Sequence, residues 1–171
     1  MGLSLIGPRG AGKSTVGKKL AWMLRLEYVS IDAEIERVAG KPIARIVDEE
    51  GWIGFRLREE AALAQAAVVA DRLLDTGGGI VEVPGNRALL RRFGPVVWLT
   101  APLSTLLARV AATGDRPPLT EHEDPADELA EIVARREPFY REIADLTLSN
   151  DDKTVPEVCE EILIWLRALV A

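Results

Sequence analysis

Eight consecutive residues, Gly7-Pro8-Arg9-Gly10-Ala11-Gly12-Lys13-Ser14, have types and an order suited to holding a chain of phosphates. They fit G-x-x-x-x-G-K-[ST] at every position. Glycines let backbone N–H groups converge on phosphate oxygens, because no Cβ stands between backbone and ligand. Lys13 supplies a cation for the β and γ phosphates, and the Ser14 hydroxyl is a hard oxygen donor for Mg²⁺. The flanks agree with this reading. Leu3 to Ile6 is a short apolar run, and from Lys13 the apolar residues Val16, Leu20, Met23 and Leu24 recur at helical spacing. A helix that starts there points its partial positive charge at the phosphates. Gly10, Ala11, Gly12, Lys13, Ser14 and Thr15 therefore read as an ATP or GTP site.

Composition narrows the class. The chain has 171 residues, of which 48% are hydrophobic and 28% charged, the mix of an ordinary globular protein with one core. Its 21 Lys plus Arg against 27 Asp plus Glu give a net charge of −6, which disfavours nucleic acid and anionic membranes as partners. Any bound anion must then meet a local cluster of cations. One cysteine, Cys159, and one histidine, His122, leave no intrachain disulfide and no thiolate or multi-histidine metal centre. His122 sits among prolines and acids and is assigned no chemistry. The start of the chain runs straight into the glycine-rich loop without an apolar leader, so a cytoplasmic location is expected, and separately a monomer is expected. No Asn-Lys-x-Asp segment for guanine is present, and the length argues against a motor ATPase. Small-molecule kinases remain, in which one nucleotide-binding domain carries a lid and an acceptor pocket.

The elements that must position these residues alternate. Strands are expected at Leu3–Ile6, Tyr28–Ile31, Arg72–Asp75, Pro95–Leu99 and Leu146–Leu148. Helices are expected from Lys13, over Ala33–Val38, Ile43–Val47, Trp52–Ala70, Asn86–Arg92, Leu103–Ala112, Ala126–Arg135 and Pro138–Ile143, and last over Val155–Leu169. Trp22, Trp52, Trp98 and Trp165 read as core or groove packing, and Glu34 and Glu36 as a solvated helix face. Residues 114–125 are polar and broken by three prolines, which marks a surface loop long enough to act as a lid. The whole predicts a three-layer α/β fold. Helices flank a five-stranded parallel sheet, and ligands sit at the carboxyl ends of the strands.

Further landmarks are Asp32-Ala33-Glu34-Ile35-Glu36, Gly51-Trp52-Ile53-Gly54-Phe55-Arg56, Gly77-Gly78-Gly79, Arg116-Pro117-Pro118-Leu119 and Arg136-Glu137-Pro138-Phe139-Tyr140. In this order, and behind the phosphate loop, they resemble the shikimate kinases over nearly the whole chain. The resemblance implies one P-loop kinase domain over residues 1–171, with an acceptor segment at about 32–60 and a lid at about 114–125. It implies transfer of the γ-phosphate of MgATP to the 3-hydroxyl of shikimate, in aromatic amino acid biosynthesis. Asp32 would grip the ring hydroxyls and orient the one that reacts. Arg56 and Arg136 would hold the carboxylate, whose planar pair of oxygens a guanidinium matches. Gly77, Gly78 and Gly79 would line the acceptor, Glu59 would support the pocket, Arg109 would lie on adenine, and Arg116 would swing over the phosphates.

Two positions depart from the family pattern. Ser30 stands two residues before Asp32, where the family carries an acid that holds Mg²⁺ through water. Trp52 stands in the Gly-Glu pair that precedes Phe-Arg. Asp75, at the end of the third strand, lies where P-loop enzymes place an acidic residue and where this family has a small or uncharged one. Asp75 is therefore expected to supply the carboxylate that Ser30 lacks. Two other readings stay open at this point: a kinase for another small hydroxy acid, and a decayed domain of the same fold that senses such an acid.

Overall fold

The computed structural model describes residues 2–113 and 124–170. Five strands form one sheet: β1 Leu3–Ile6, β2 Glu27–Ser30, β3 Arg72–Asp75, β4 Val96–Thr100 and β5 Leu146–Ser149. Their order is β2-β3-β1-β4-β5, and every neighbouring pair is parallel. Strand connections cross from one side of β1 to the other after β3. The crevice for a ligand opens at such a reversal, beyond the carboxyl ends of the strands.

Alternation along the strands builds a core on each face. Leu3, Leu5, Leu73, Val97 and Leu99 join one apolar cluster, with Val16 and Leu20 of α1 (Lys13–Leu24) and Ile162 and Leu166 of α7 (Val155–Leu169). Ile6, Leu74, Val96 and Trp98 join the other. They meet α2 (Ile31–Ala39), α3 (Ile43–Ala66), α4 (Pro84–Phe93) and α6 (Pro125–Ile143). α5 (Leu103–Thr113) packs on the glycine-rich loop, where a Cβ at Gly10 would lie 2.9 Å from the Leu106 carbonyl. A period of two sends neighbouring strand residues to opposite faces, so one short strand serves both cores.

The expected elements all appear, with local differences. β2 ends at Ser30 rather than Ile31, because the Ser30 hydroxyl accepts from the Ala33 N–H and starts α2 there. The two helices expected at Ile43–Val47 and Trp52–Ala70 are both present within α3, parted by a kink at Gly51 with non-helical backbone (φ 69°, ψ 178°), and the second ends at Ala66. Only glycine adopts that backbone cheaply. The two helices expected around Arg135 and Pro138 are one, α6, with Pro138 inside. A proline there removes a helix N–H and costs about 3 kcal/mol in an isolated helix. Buried Leu129, Ile132, Arg136, Tyr140 and Ile143 on both sides of it hold the axis against that cost. Trp22 corrects the expectation of packing: its side chain is 76% exposed, with Lys19 over its ring. It sits two residues from Leu20, off the stripe formed by Val16, Leu20 and Ala21.

Replacing Leu5, fully buried in the central strand, with alanine should lower unfolding free energy by about 2–5 kcal/mol. Trp22→Ala should change it by less than about 0.5 kcal/mol. Chemical denaturation of both variants checks the pair. A large loss at Trp22 would show that this side chain is packed against something after all.

Candidate active site

The phosphate end of the site is built by backbone. Gly10 (φ 79°) and Gly12 (φ 81°) take left-handed conformations that turn the chain tightly into α1. Gly7 leaves no space for a side chain, since a Cβ would strike the Leu99 carbonyl. Lys13, 8% exposed, donates from Nζ to the Gly7 and Pro8 carbonyls at 2.8 and 2.9 Å, so its ammonium lies inside the loop's curve. Asn150, just after β5, is buried and donates from Nδ2 to the Ala11 carbonyl, while its Oδ1 accepts from Arg109 at 2.9 Å. Arg109 also donates to the Gly10 carbonyl at 3.0 Å. The loop is thus braced from β5 and α5.

Beside this loop lies a cavity of about 310 Å³, bordered by Arg9, Ser30, Asp32, Asp75, Thr76 and Gly77 among others. Burial draws the Arg9 guanidinium below its ordinary value; Glu128 opposes that shift and Arg136 adds to it. Thr76 fixes the far wall, its N–H and hydroxyl both donating to the Leu5 carbonyl at 3.2 and 2.9 Å. That tie carries β3 directly into the glycine triplet.

Each glycine of the triplet is crowded by charged side chains from α2, α3 or α6. A Cβ at Gly77 would lie 2.8 Å from Glu59 Oε1 and 3.1 Å from Asp32 Oδ1. At Gly78 it would lie 3.3 Å from Arg136 Nη1, and at Gly79 it would overlap the Arg56 guanidinium. Tyr140 completes this wall: its hydroxyl donates to the Gly78 carbonyl at 2.5 Å, and its ring stacks on Trp98 with centroids 5.5 Å apart.

Acids interleave with these cations. Arg56 donates to Glu59 Oε2 at 2.7 Å, while Glu59 Oε1 is buried without a hydrogen-bond partner among the described residues. Burial pushes the Glu59 carboxyl up, against the opposing pull of Arg56 and Arg136. Glu82, on the 3₁₀ turn Ile80–Glu82, accepts at Oε1 from Arg135 and Arg136, both at 3.0 Å, and pairs with Arg56 at 3.6 Å. Burial raises the Glu82 carboxyl, but Arg136, Arg56 and Arg135 outweigh it and leave it below the usual range. Trp52 meets Phe55 edge-on at 5.6 Å and lies under the Arg56 guanidinium at 5.8 Å.

At the corner between loop and sheet, Asp75, 5% exposed, accepts at Oδ2 from the Ser14 hydroxyl and from the Tyr28 hydroxyl, each at 2.6 Å. Burial and the Asp75 carboxylate push the Tyr28 phenol up. Among the described residues no cluster of three or more acids, histidines and cysteines could hold a metal. A hydroxyl and one carboxylate suit Mg²⁺ all the same, because that ion keeps waters and phosphate oxygens as most of its ligands.

The sequence profile of the shikimate kinases matches residues 9–167. The chain belongs to the shikimate kinase family. It is 43% identical over 167 residues to the shikimate kinase of Pseudomonas aeruginosa strain LESB58, covering 98% of this chain and 96% of that one. It is 45% identical over 163 residues to the shikimate kinase of Thioalkalivibrio sulfidiphilus, covering 95% of this chain and 85% of that one. The structure of the Acinetobacter baumannii shikimate kinase in complex with shikimate superimposes with a TM-score of 0.93 at 36% identity, covering 98% of this chain and 93% of that one. The activity is accordingly that of a shikimate kinase, an ATP-using phosphotransferase with an alcohol acceptor in aromatic amino acid biosynthesis.

Of the residues expected in the site, Gly10, Gly12, Lys13, Ser14, Thr15, Asp32, Asp75, Gly77 and Gly78 border one cavity, and Arg56, Glu59, Gly79 and Arg136 form the adjoining wall. Thr15 lies on the first turn of α1 and is exposed at the cavity mouth, and Arg109 braces the loop. Arg116 and His122, with residues 114–123 of the expected lid, lie outside the described residues. Among the described residues no helix is long and apolar enough to cross a membrane. Sequence reasoning missed Arg9, Tyr28, Glu82 and Asn150. Glu36 is exposed, as expected, and its Oε1 also accepts from the Ile43 N–H at 2.9 Å at the start of α3. Short motifs do not mark such partners; their roles arise from contacts between residues up to 139 positions apart.

Glu59 has a sign that can be tested. A carboxyl raised in the folded state stabilises the protein fully below its unfolded value of 4.5, and loses that contribution as pH rises through the folded value. Glu59→Gln does not titrate. The difference in melting temperature between Glu59→Gln and the unmodified enzyme should therefore move in favour of Gln between about pH 4 and about pH 8. A difference that is flat with pH, or moves the other way, would contradict the raised value.

Proposed function

We propose that this chain transfers the γ-phosphoryl group of ATP to the 3-hydroxyl of shikimate, with the site divided as follows. Lys13 and the N–H groups from Gly10 to Thr15 hold the phosphates. Arg56 and Arg136 take the acceptor's carboxylate, and Asp32 orients the reacting hydroxyl and takes its proton as the new ester bond forms. The observation that carries this reading is the convergence of Asp32, Glu59, Arg56 and Arg136 on three glycines beside the phosphate loop.

The physical argument runs through position and charge. Phosphoryl transfer asks little covalent chemistry of the protein, and most of the rate comes from alignment and from neutralising the γ-phosphoryl oxygens. The glycine triplet lets a small ring approach backbone closely, with two guanidiniums at one end and the P-loop at the other. Glu59 and Glu82 keep those guanidiniums in place by hydrogen bonds and ion pairs. Their ordering is then complete before the acceptor arrives, which reduces the entropic cost of binding. Arg116, by the family resemblance, would add a further cation over the phosphates. Ser14 and Asp75 would hold Mg²⁺, which neutralises phosphate charge when bound.

Two measurements test this. Release of ADP should be rapid with shikimate and at background with gluconate and quinate; equal rates with all three would remove the acceptor assignment. Arg136→Lys keeps the charge but loses the planar fork. It should raise the KM for shikimate about tenfold to a hundredfold and leave the KM for ATP unchanged. Equal rises in both constants would mean that Arg136 does not hold the acceptor.

A further inference from the structure

Asp75 is held from two sides by residues that do not neutralise it. Ser14 reaches it from α1 and Tyr28 from β2, both donating to Oδ2 at 2.6 Å. The register explains how β2 reaches it: Tyr28 pairs with Leu73 and Ser30 with Asp75, so alternate residues of the two strands share the sheet face toward α1. The Tyr28 ring has a seat made for it. A Cβ at Gly17 of α1 would lie 3.0 Å from the ring's Cε2, and 3.2 and 3.3 Å from Leu5 and Leu73. Absence of a side chain at Gly17 thus lets the ring fit between helix and sheet, with Lys18 Nζ 5.8 Å from its centroid. Ser30 completes the corner by capping α2, so the hydroxyl next to Asp75 in register is engaged with backbone.

We propose that Tyr28 is a positioning residue for the metal-holding carboxylate, fixing Asp75 so that it faces Ser14 and the phosphate cradle. The proposal rests on the reading of Ser14 and Asp75 as the Mg²⁺ site. An aspartate at a strand end can turn about its side-chain bonds, and a cation bound there must pay for stopping that motion. A phenol that donates to one carboxylate oxygen stops it in advance. Being neutral, it leaves the negative charge that a divalent cation requires, whereas a lysine or arginine in its place would cancel it. Groups that orient a metal ligand in this way change metal affinity by about 10- to 100-fold when removed.

The test uses Mn²⁺ as the probe, titrated into the ADP-saturated enzyme and followed by electron paramagnetic resonance of the uncomplexed ion. Tyr28→Phe keeps the ring in its seat and removes only the hydroxyl. It should weaken Mn²⁺ binding about tenfold, with metal-free ADP affinity and the KM for shikimate unchanged. Asp75→Ala should weaken Mn²⁺ binding at least as much, and adding Tyr28→Phe to Asp75→Ala should change nothing further, because the hydroxyl's target is gone. Unchanged Mn²⁺ affinity in Tyr28→Phe, with a loss in Asp75→Ala, overturns the role of Tyr28 and leaves the metal site standing. Unchanged affinity in Asp75→Ala overturns the metal reading itself. A further loss in the double variant, or a fall in metal-free ADP affinity in Tyr28→Phe, shows that Tyr28 acts through packing and overturns the proposal.

Discussion

Three consecutive positions without side chains govern this molecule. Gly77, Gly78 and Gly79 leave the end of β3 so narrow that Asp32, Glu59, Arg136 and Arg56 close in on it from three helices. A single Cβ at Gly79 would collide with the Arg56 guanidinium. The bend of α3 at Gly51, the run of α6 through Pro138 and the tie of Thr76 to Leu5 all deliver side chains or backbone to this one strip. The fold can be understood as the means of holding that strip against the phosphate loop.

Charge is arranged on the same principle. A chain of net charge −6 repels anions on average, yet the site gathers Arg9, Lys13, Arg56 and Arg136 at the carboxyl edge of the sheet. Cations packed this closely would repel one another and lose hydration. Glu59 and Glu82 interleave with them and lower that cost, at the expense of placing one carboxylate in a buried position that favours its neutral form. The Asp75 corner differs. There the partners are neutral hydroxyls, which leave the carboxylate's negative charge uncancelled.

The strands, the parallel sheet and the phosphate loop were legible because each rests on local spacing, while the proposed acceptor residues came from the resemblance of ordered motifs to the shikimate kinases. The short apolar runs of Leu3–Ile6 and Arg72–Asp75, helical recurrence after Lys13, and the run of three glycines are properties of neighbours in sequence. What escaped was decided across distance. Two helices were expected where α6 is continuous, since a proline's local penalty is visible in sequence and the compensating burial of Tyr140 and Ile143 is not. Trp22 was expected to pack because tryptophan usually does, and its angle on α1 leaves it in solvent. The suspicion that Asp75 replaces the acid missing at Ser30 came from sequence; that Ser30 caps a helix and pairs in register with Asp75 came from the sheet.

By itself the sequence marked a glycine-rich loop suited to phosphates and, through the family resemblance, proposed guanidiniums for a carboxylate and an aspartate for a hydroxyl. Such chemistry lives in side-chain types and in short spacings, which no fold can alter. The tertiary structure decided which acids stand between the cations, which hydroxyls hold Asp75, and which side chains may touch a glycine. Those relations join residues far apart in the chain, and they exist only once strand register and helix packing have brought them within hydrogen-bond reach.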